Sequence, residues 1–470
     1  MKHIIDSKAP GAVTDTMLRK FRRNFEEEPV HRVTMNALTR GNLTQIGLNC
    51  RTLNNFDFTF SHEIEIGGEP LDQERAGTCW LFADTNWLRT IVAKNLNFKA
   101  FDFSQNHHEF YDKIEKANLF LEKMIEYRKR DMRDRHVVHL LRRPVSDGGD
   151  WLYTANCILK YGLVPKPVMP DTFNLKNSRY MNDRVAYKCR QGAMIIRELE
   201  KQGRSLTQMR KAKEAIMGEI YNLLAMFLGL PPERFSWSYR DDGPKEDGKK
   251  KGGKKGKKKA KKGRRKYHRL QNVTPKEFTK KYLRINPNDY VTLLHLPADG
   301  FRMNQPYVME YGQNTVGASD MVFLNVEMSD LKAAAVKSIK ADETVLYSSE
   351  AGPGTDAKLG YYHHDLFDYE TMFNMAFPLS KAERITYFQE ECNHLQLFIG
   401  VDLVDGKPVK WKLENSWGKQ YGKNGLFMMS DGWFEEYVFT ILVHKRFVPR
   451  RILNLYKKKP ELIPLGAPFS

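Results

Sequence analysis

The stretch Gln73-Glu-Arg-Ala-Gly-Thr-Cys79-Trp-Leu-Phe-Ala constrains this chain more than any other. It sets a cysteine where a glycine-containing loop gives way to an apolar, periodic run. Trp80, Leu81, Trp87, Leu88, Ile91, Val92 and Leu96 recur at helical spacing and predict a helix with one buried face. Cys79 then stands at the positive end of the helix dipole, where unpaired N–H groups favour an anion. A thiol in that position ionises more readily, and the thiolate is the nucleophile. Gln73 supplies a side-chain amide donor in the preceding loop, suited to the oxyanion of a tetrahedral intermediate. A buried structural cysteine beside a solvent-facing glutamine fits the same local pattern, so this stretch alone leaves both readings open.

A second segment supplies the complementary chemistry. The chain reads Asn393-His394-Leu-Gln-Leu-Phe-Ile-Gly-Val-Asp-Leu-Val, then Asp405-Gly406, then Lys-Pro-Val-Lys-Trp-Lys-Leu-Glu414-Asn415-Ser416-Trp417-Gly418. Two apolar-rich runs around an Asp-Gly pair predict a β-hairpin, and Pro408 argues for a connection longer than two residues. Such a hairpin brings His394 near Asn415. An imidazole oriented by an amide is the base that a cysteine nucleophile needs, with the other ring nitrogen left to face the sulfur. Taken singly, His394 fits an ordinary strand position and Asn415 an ordinary turn.

Taken together, Gln-x-x-x-Gly-x-Cys-Trp-Leu-Phe-Ala, the later histidine and Glu-Asn-Ser-Trp-Gly resemble the landmarks of papain-like cysteine peptidases. The bleomycin hydrolase and aminopeptidase C branch is the nearer match. Supporting stretches begin at Leu18, Asp57, Phe103, Asp112, Asp147, Tyr161 and Leu379, so the likeness runs from about residue 15 to the C-terminus and is weakest near 240–350. The resemblance implies an α+β, papain-like two-domain fold: a helical domain carrying the Cys79 helix and a β-rich domain carrying His394 and Asn415. It assigns Cys79 as nucleophile, His394 as general base and acid, Asn415 as its orienting residue and Gln73 as oxyanion donor. It implies no cofactor, and substrates that are peptides and small amides, including bleomycin-like amides and homocysteine thiolactone. Two departures lie beside the dyad: Ala76-Gly-Thr78 stands where the family has Ser-Gly-Arg, and Asn393 precedes the histidine where Thr is usual.

Cys79 and His394 are 315 positions apart, far beyond the roughly 130–150 of a simple papain-like enzyme. The segment 105–235, rich in helical apolar spacing, is the expected insertion. By resemblance it is an oligomerisation arm of a ring-shaped homohexamer, although helices padding one large core satisfy the spacing equally. Asp147-Gly148-Gly149 is expected to line the substrate cleft, since glycines let an extended peptide approach the backbone; an ordinary surface turn is the alternative. The resemblance also implies that the tail 455–470 enters the cleft, where the carboxylate of Ser470 meets a substrate's free amine. The finish Pro468-Phe469-Ser470 departs from the family's small residues and leaves the cutting register open.

The net charge of +19 is concentrated in one place: residues 249–269 hold 14 basic side chains and no acidic one, leaving +5 for the remainder. Self-repulsion and glycine content predict a disordered, solvated loop over 243–269. Such a loop is suited to non-specific binding of nucleic acid or another polyanion through Lys249–Arg269. A polyanion-binding protein with an ancillary peptidase core is therefore the competing reading. Five scattered cysteines fit a reducing compartment better than a disulfide scaffold. With no run of about 18 apolar residues and no apolar leader region after Met1, a cytoplasmic location is expected. His107-His108 and His363-His364-Asp365 lack partners at metal-ligand spacing, and neighbouring residues on regular elements point apart, so no metal site is expected.

Overall fold

The computed structural model describes residues 9–242 and 265–469. Most of the expected lysine-rich loop, residues 243–264, and the tail residue Ser470 lie outside the described residues. Five helices shape the first half: α1 (Cys79–Leu96), α2 (Gln105–Glu126), α3 (Trp151–Tyr161), α4 (Arg179–Lys201) and α5 (Leu206–Leu228). Their starts are chemically marked. Ser104 accepts from His107 N at 3.0 Å to open α2, and the Asp150 carboxylate accepts from Leu152 N at 2.9 Å to open α3. Ser205 and Gln208 form a reciprocal capping box at the start of α5. Helix α1 ends on Asn97 in the left-handed conformation, a residue type that tolerates it.

One expectation for α1 is overturned. In place of a single buried face, 15 of its 18 residues are buried, polar Asp84, Asn86 and Arg89 among them. The helix lies between the sheet on one side and α2 and α3 on the other, so water reaches almost none of its circumference.

The second half builds β1 (Tyr290–Leu294), β2 (Val345–Ser349), β3 (His394–Val404), β4 (Lys407–Glu414), β5 (Leu426–Ser430) and β6 (Val438–His444). They form the middle of a twelve-stranded sheet in the order β1-β6-β2-β3-β4-β5, every neighbouring pair antiparallel. Both faces are covered. Leu346, Leu397, Ile399 and Leu442 pack with α1, while Val345, Tyr347, Phe398 and Ile441 turn to a second core. That second core includes Leu331 and Ala335 of the Met328–Lys340 helix. The two-residue alternation explains why these strands read as nearly continuous apolar runs.

The β3–β4 hairpin has a two-residue turn, with Val404 opposite Lys407 and positive φ at both Asp405 (50°) and Gly406 (77°). The longer connection expected from Pro408 is therefore incorrect. Pro408 is accommodated because β5 pairs β4 only from Lys410 to Glu414, leaving that end of β4 an edge. Irregularities in β3 between Phe398 and Gly400, and between Asp402 and Leu403, set the final register.

Helices follow one another from Gln105 to Leu228, and a strand begins at Phe235. That strand, Phe235–Arg240, pairs with Tyr267–Val273. Tyr267, His268 and Arg269 thus belong to a β-ribbon, correcting the expected loop boundary at 269. The aromatics explain it: Tyr239 stacks on His268 at 4.6 Å and on Trp237 at 4.8 Å. Among the described residues no helix is long and apolar enough to cross a membrane.

Candidate active site

Cys79 opens α1 and His394 opens β3, so the sheet-to-helix packing that buries Leu397 against α1 also carries both residues to one cavity. The cavity measures about 240 Å³ and is lined by Cys79, Trp80, Gly148, Gly149, Cys392, His394 and Phe469, among others. Cys79 is 9% exposed and His394 7%, so the cavity is their route to solvent.

The His394 ring is oriented by a defined network. Its Nε2 lies 3.0 Å from Asn415 Oδ1. The Asn415 amide is itself fixed, with Nδ2 donating to the Tyr362 hydroxyl at 3.1 Å and Oδ1 accepting from Ser416 N at 2.7 Å. With Oδ1 an acceptor, the imidazole proton resides on Nε2, which leaves Nδ1 with a free lone pair. Gln396 Nε2 also donates to the Tyr362 hydroxyl, at 2.7 Å. Trp417 stacks over the imidazole with ring centroids 5.1 Å apart and an angle of 24°. Burial pushes the His394 imidazole down to about 4 and the Cys79 thiol up. The amides of Leu395 and Trp80 oppose the burial effect on the sulfur, and the negative charge of Asp147 adds to it. Each group alone is driven to its neutral form.

Gln73 is tied to the Asn415 loop. Its Oε1 accepts from Ser416 Oγ at 2.5 Å, its backbone N donates to Ser416 O at 2.8 Å, and Nε2 donates to Ala76 O at 2.7 Å. These bonds fix which end of the amide is the donor and leave one N–H of Nε2 uncommitted. The buried Arg89 of α1 reinforces the joint. It pairs with Glu414, the residue before Asn415, and with Asp102 at 2.9 Å, while Asn86 Nδ2 donates to Glu414 at 3.1 Å.

Gly148 and Gly149 both line the cavity. A Cβ on Gly149 would lie 2.6 Å from the Trp80 indole, whereas one on Gly148 would meet nothing within 4 Å. Phe469 stacks on Phe439 at 5.8 Å and meets Phe323 edge-on at 5.6 Å. The strand Glu461–Ile463, parallel to Gln305–Met309, anchors the tail upstream of it. The sequence reading missed Tyr362, Gln396 and Trp417. Trp417 stood inside the Glu-Asn-Ser-Trp-Gly signature, but nothing local marked Tyr362, 53 positions from Asn415.

His107 and His108 are buried inside the helical layer, away from solvent. At His363, His364 and Asp365 the argument from regular elements does not hold, because the segment is a turn. One ligand atom from each falls within 4.8 Å of the others. The two imidazoles stack at 4.5 Å and 15°.

The chain belongs to the Peptidase C1-like family, whose model matches residues 12–469, and it is by class a papain-like cysteine aminopeptidase. It is 33% identical to aminopeptidase C of Lactobacillus delbrueckii subsp. lactis over 451 residues, covering 95% of this chain and 96% of the relative. It is 30% identical to human bleomycin hydrolase over 457 residues, covering 95% and 96%. The crystal structure of PepW from Lactobacillus rhamnosis superposes with a TM-score of 0.90 at 32% identity, covering 98% of this chain and 99% of that one.

Proposed function

We propose that this enzyme removes N-terminal residues from peptides and small amides by a Cys79–His394–Asn415 thioester mechanism in the cytosol. The observation that carries the reading is the His394 Nε2–Asn415 Oδ1 contact of 3.0 Å beside the cavity that Cys79 also lines. His394 Nδ1 takes the thiol proton as sulfur attacks the peptide carbonyl. The oxyanion is met by the uncommitted N–H of Gln73 Nε2. His394 then returns the proton to the departing amine, leaving a thioester, and activates the water that releases the acid. Every step is carried by protein groups and water. The five unpaired cysteines are consistent with a reducing compartment.

Aminopeptidase register is assigned to the tail. Phe469 lines the cavity together with Met309, Met321, Phe323 and Thr440. That cavity is smaller than the roughly 300–1,000 Å³ of ordinary ligand pockets and suits a single side chain. The chain beyond Phe469 would meet the substrate amine, and Gly148 and Gly149 would flank the substrate backbone. The helices between 105 and 235 serve in this reading as the assembly arm of a homohexamer. Tyr180, Met194, Met226 and Leu230 are each more than 60% exposed there, an apolar surface suited to burial by other copies.

The test compares free and N-acetylated aminoacyl amides in the intact enzyme and in Phe469→Gly. The intact enzyme is expected to cleave only the free amine forms, and the variant to gain hydrolysis of blocked dipeptide amides. Equal cleavage of blocked and free substrates by the intact enzyme contradicts the assignment of the tail.

A further inference from the structure

The loop that walls the cavity opposite His394 is held from beneath by two buried lysines of α2. Lys113 is fully buried, and its Nζ donates to Asp147 Oδ1 at 2.6 Å and to Ser146 O at 2.9 Å. Lys116 donates to Gly148 O at 2.7 Å and to Ser146 O at 3.0 Å, and sits over the Trp80 ring at 5.1 Å. Asp147 is the hub of this arrangement. Its carboxylate also accepts from Ser178 Oγ at 2.7 Å, Asn182 Nδ2 at 2.6 Å and Gly77 N at 3.2 Å. Its carbonyl accepts from Trp80 Nε1 at 2.6 Å. One carboxylate therefore grips the turn two residues before Cys79, the glycine loop of the cleft and the start of α4. Fully burying a lysine is costly unless the charge is paired and hydrogen-bonded, and a core helix needs no cation to pack.

We infer that Lys113 is a positioning residue for the Cys79 reaction: it holds Asp147 as the anion that fixes Gly77 and the glycine loop, and it screens that anion from the Cys79 sulfur. The inference rests on Cys79 being the nucleophile. The groups facing Cys79 are His394 and Cys392 from the sheet side, Asp84 on its own helix, and Asp147 and Asp150 from the loop. Those facing Lys113 are Asp147, Glu109, Asp112 and Lys116. Consistent with the geometry, burial pushes the Asp147 carboxyl up, but Lys113 and the donors from Ser178 and Asn182 outweigh it and hold the group well below the usual carboxylate range.

The pH dependence of Cys79 alkylation by iodoacetamide, with the modified peptide mapped, tests this. Lys113→Met leaves the carboxylate unscreened, so its midpoint is expected to rise by about one pH unit, a tenfold slower reaction on the acid side. Asp147→Asn removes the anion and leaves the cation, so its midpoint is expected to fall. Generalised damage to the loop moves both variants the same way. Shifts of one sign, or none in either variant, overturn the inference while leaving the nucleophile intact. If Lys113→Met does not fold, Lys113→Gln takes its place, with the same rise expected and its absence overturning the inference. An intact enzyme whose Cys79 titrates as an ordinary free thiol defeats both this inference and the reading beneath it.

Discussion

Asn415 is the smallest part on which the proposed chemistry turns. Its amide has both ends committed, to Tyr362 on one side and to Ser416 N and His394 on the other. Asn415→Ala is expected to lower kcat by about two orders of magnitude, the scale of a misdirected general base. KM should change far less, because the side chain is 1% exposed and cannot touch substrate; steady-state kinetics on a free aminoacyl amide checks the split. Cys79, His394 and Asn415 could be selected from sequence because their residue types carry the chemistry and their neighbours form signatures. Tyr362 could not. Its hydroxyl acts only because the strand Tyr361–Tyr362 runs parallel beside Met428–Met429 of β5, a juxtaposition with no local trace. The same is true of Lys113, which is an ordinary charged residue until α2 is laid under the glycine loop.

At the scale of elements, the site is a joint between α1 and the β3–β4 hairpin, and Glu414 is its pin. Glu414 is fully buried, and it pairs with Arg89 while accepting from Asn86. Glu414→Ala leaves the Arg89 guanidinium paired with Asp102 alone. Breaking such a pair by removing one partner costs about 3–5 kcal/mol, and denaturant unfolding should register a loss of that size. The hairpin was legible from its Asp-Gly turn, whereas Pro408 misled because a strand edge tolerates proline and sequence does not announce an edge. The all-round burial of α1 was also hidden. Its polar Asp84, Asn86 and Arg89 read as a wet face, but Thr154 bonds Asp84 and Glu414 bonds Asn86 and Arg89 from other elements.

The whole molecule buries several neutral imidazoles in both layers. Burial lowers His107 to about 3, and His108, His295 and His394 each to about 4. An unfolded histidine titrates near 6.5, so the unfolded chain binds more protons than the folded one between about pH 6.5 and 4. Stability is therefore full above pH 6.5 and falls as pH drops through that window, levelling for these groups below about pH 4. Thermal unfolding followed from pH 8 to 4.5 should show a steepening fall below 6.5, and His108→Gln should flatten it. The α+β class came at this scale from the family resemblance, and the structure divides accordingly, helical before residue 230 and strand-rich after 290. The order of the strands was not, since the sheet centre alternates segments far apart in sequence.

The central claim is that the sulfur at the start of α1 is the group that attacks substrate, with the imidazole at the start of β3 as its partner. Labelling of the intact enzyme with an epoxide inhibitor of cysteine peptidases, followed by mapping of the modified residue, tests it most directly. The expected result is a single adduct on Cys79, with activity lost in proportion and labelling slowed at least about a hundredfold in His394→Ala. An adduct on Cys50, Cys157, Cys189 or Cys392 with Cys79 untouched, or labelling of Cys79 at the same rate without His394, would contradict it.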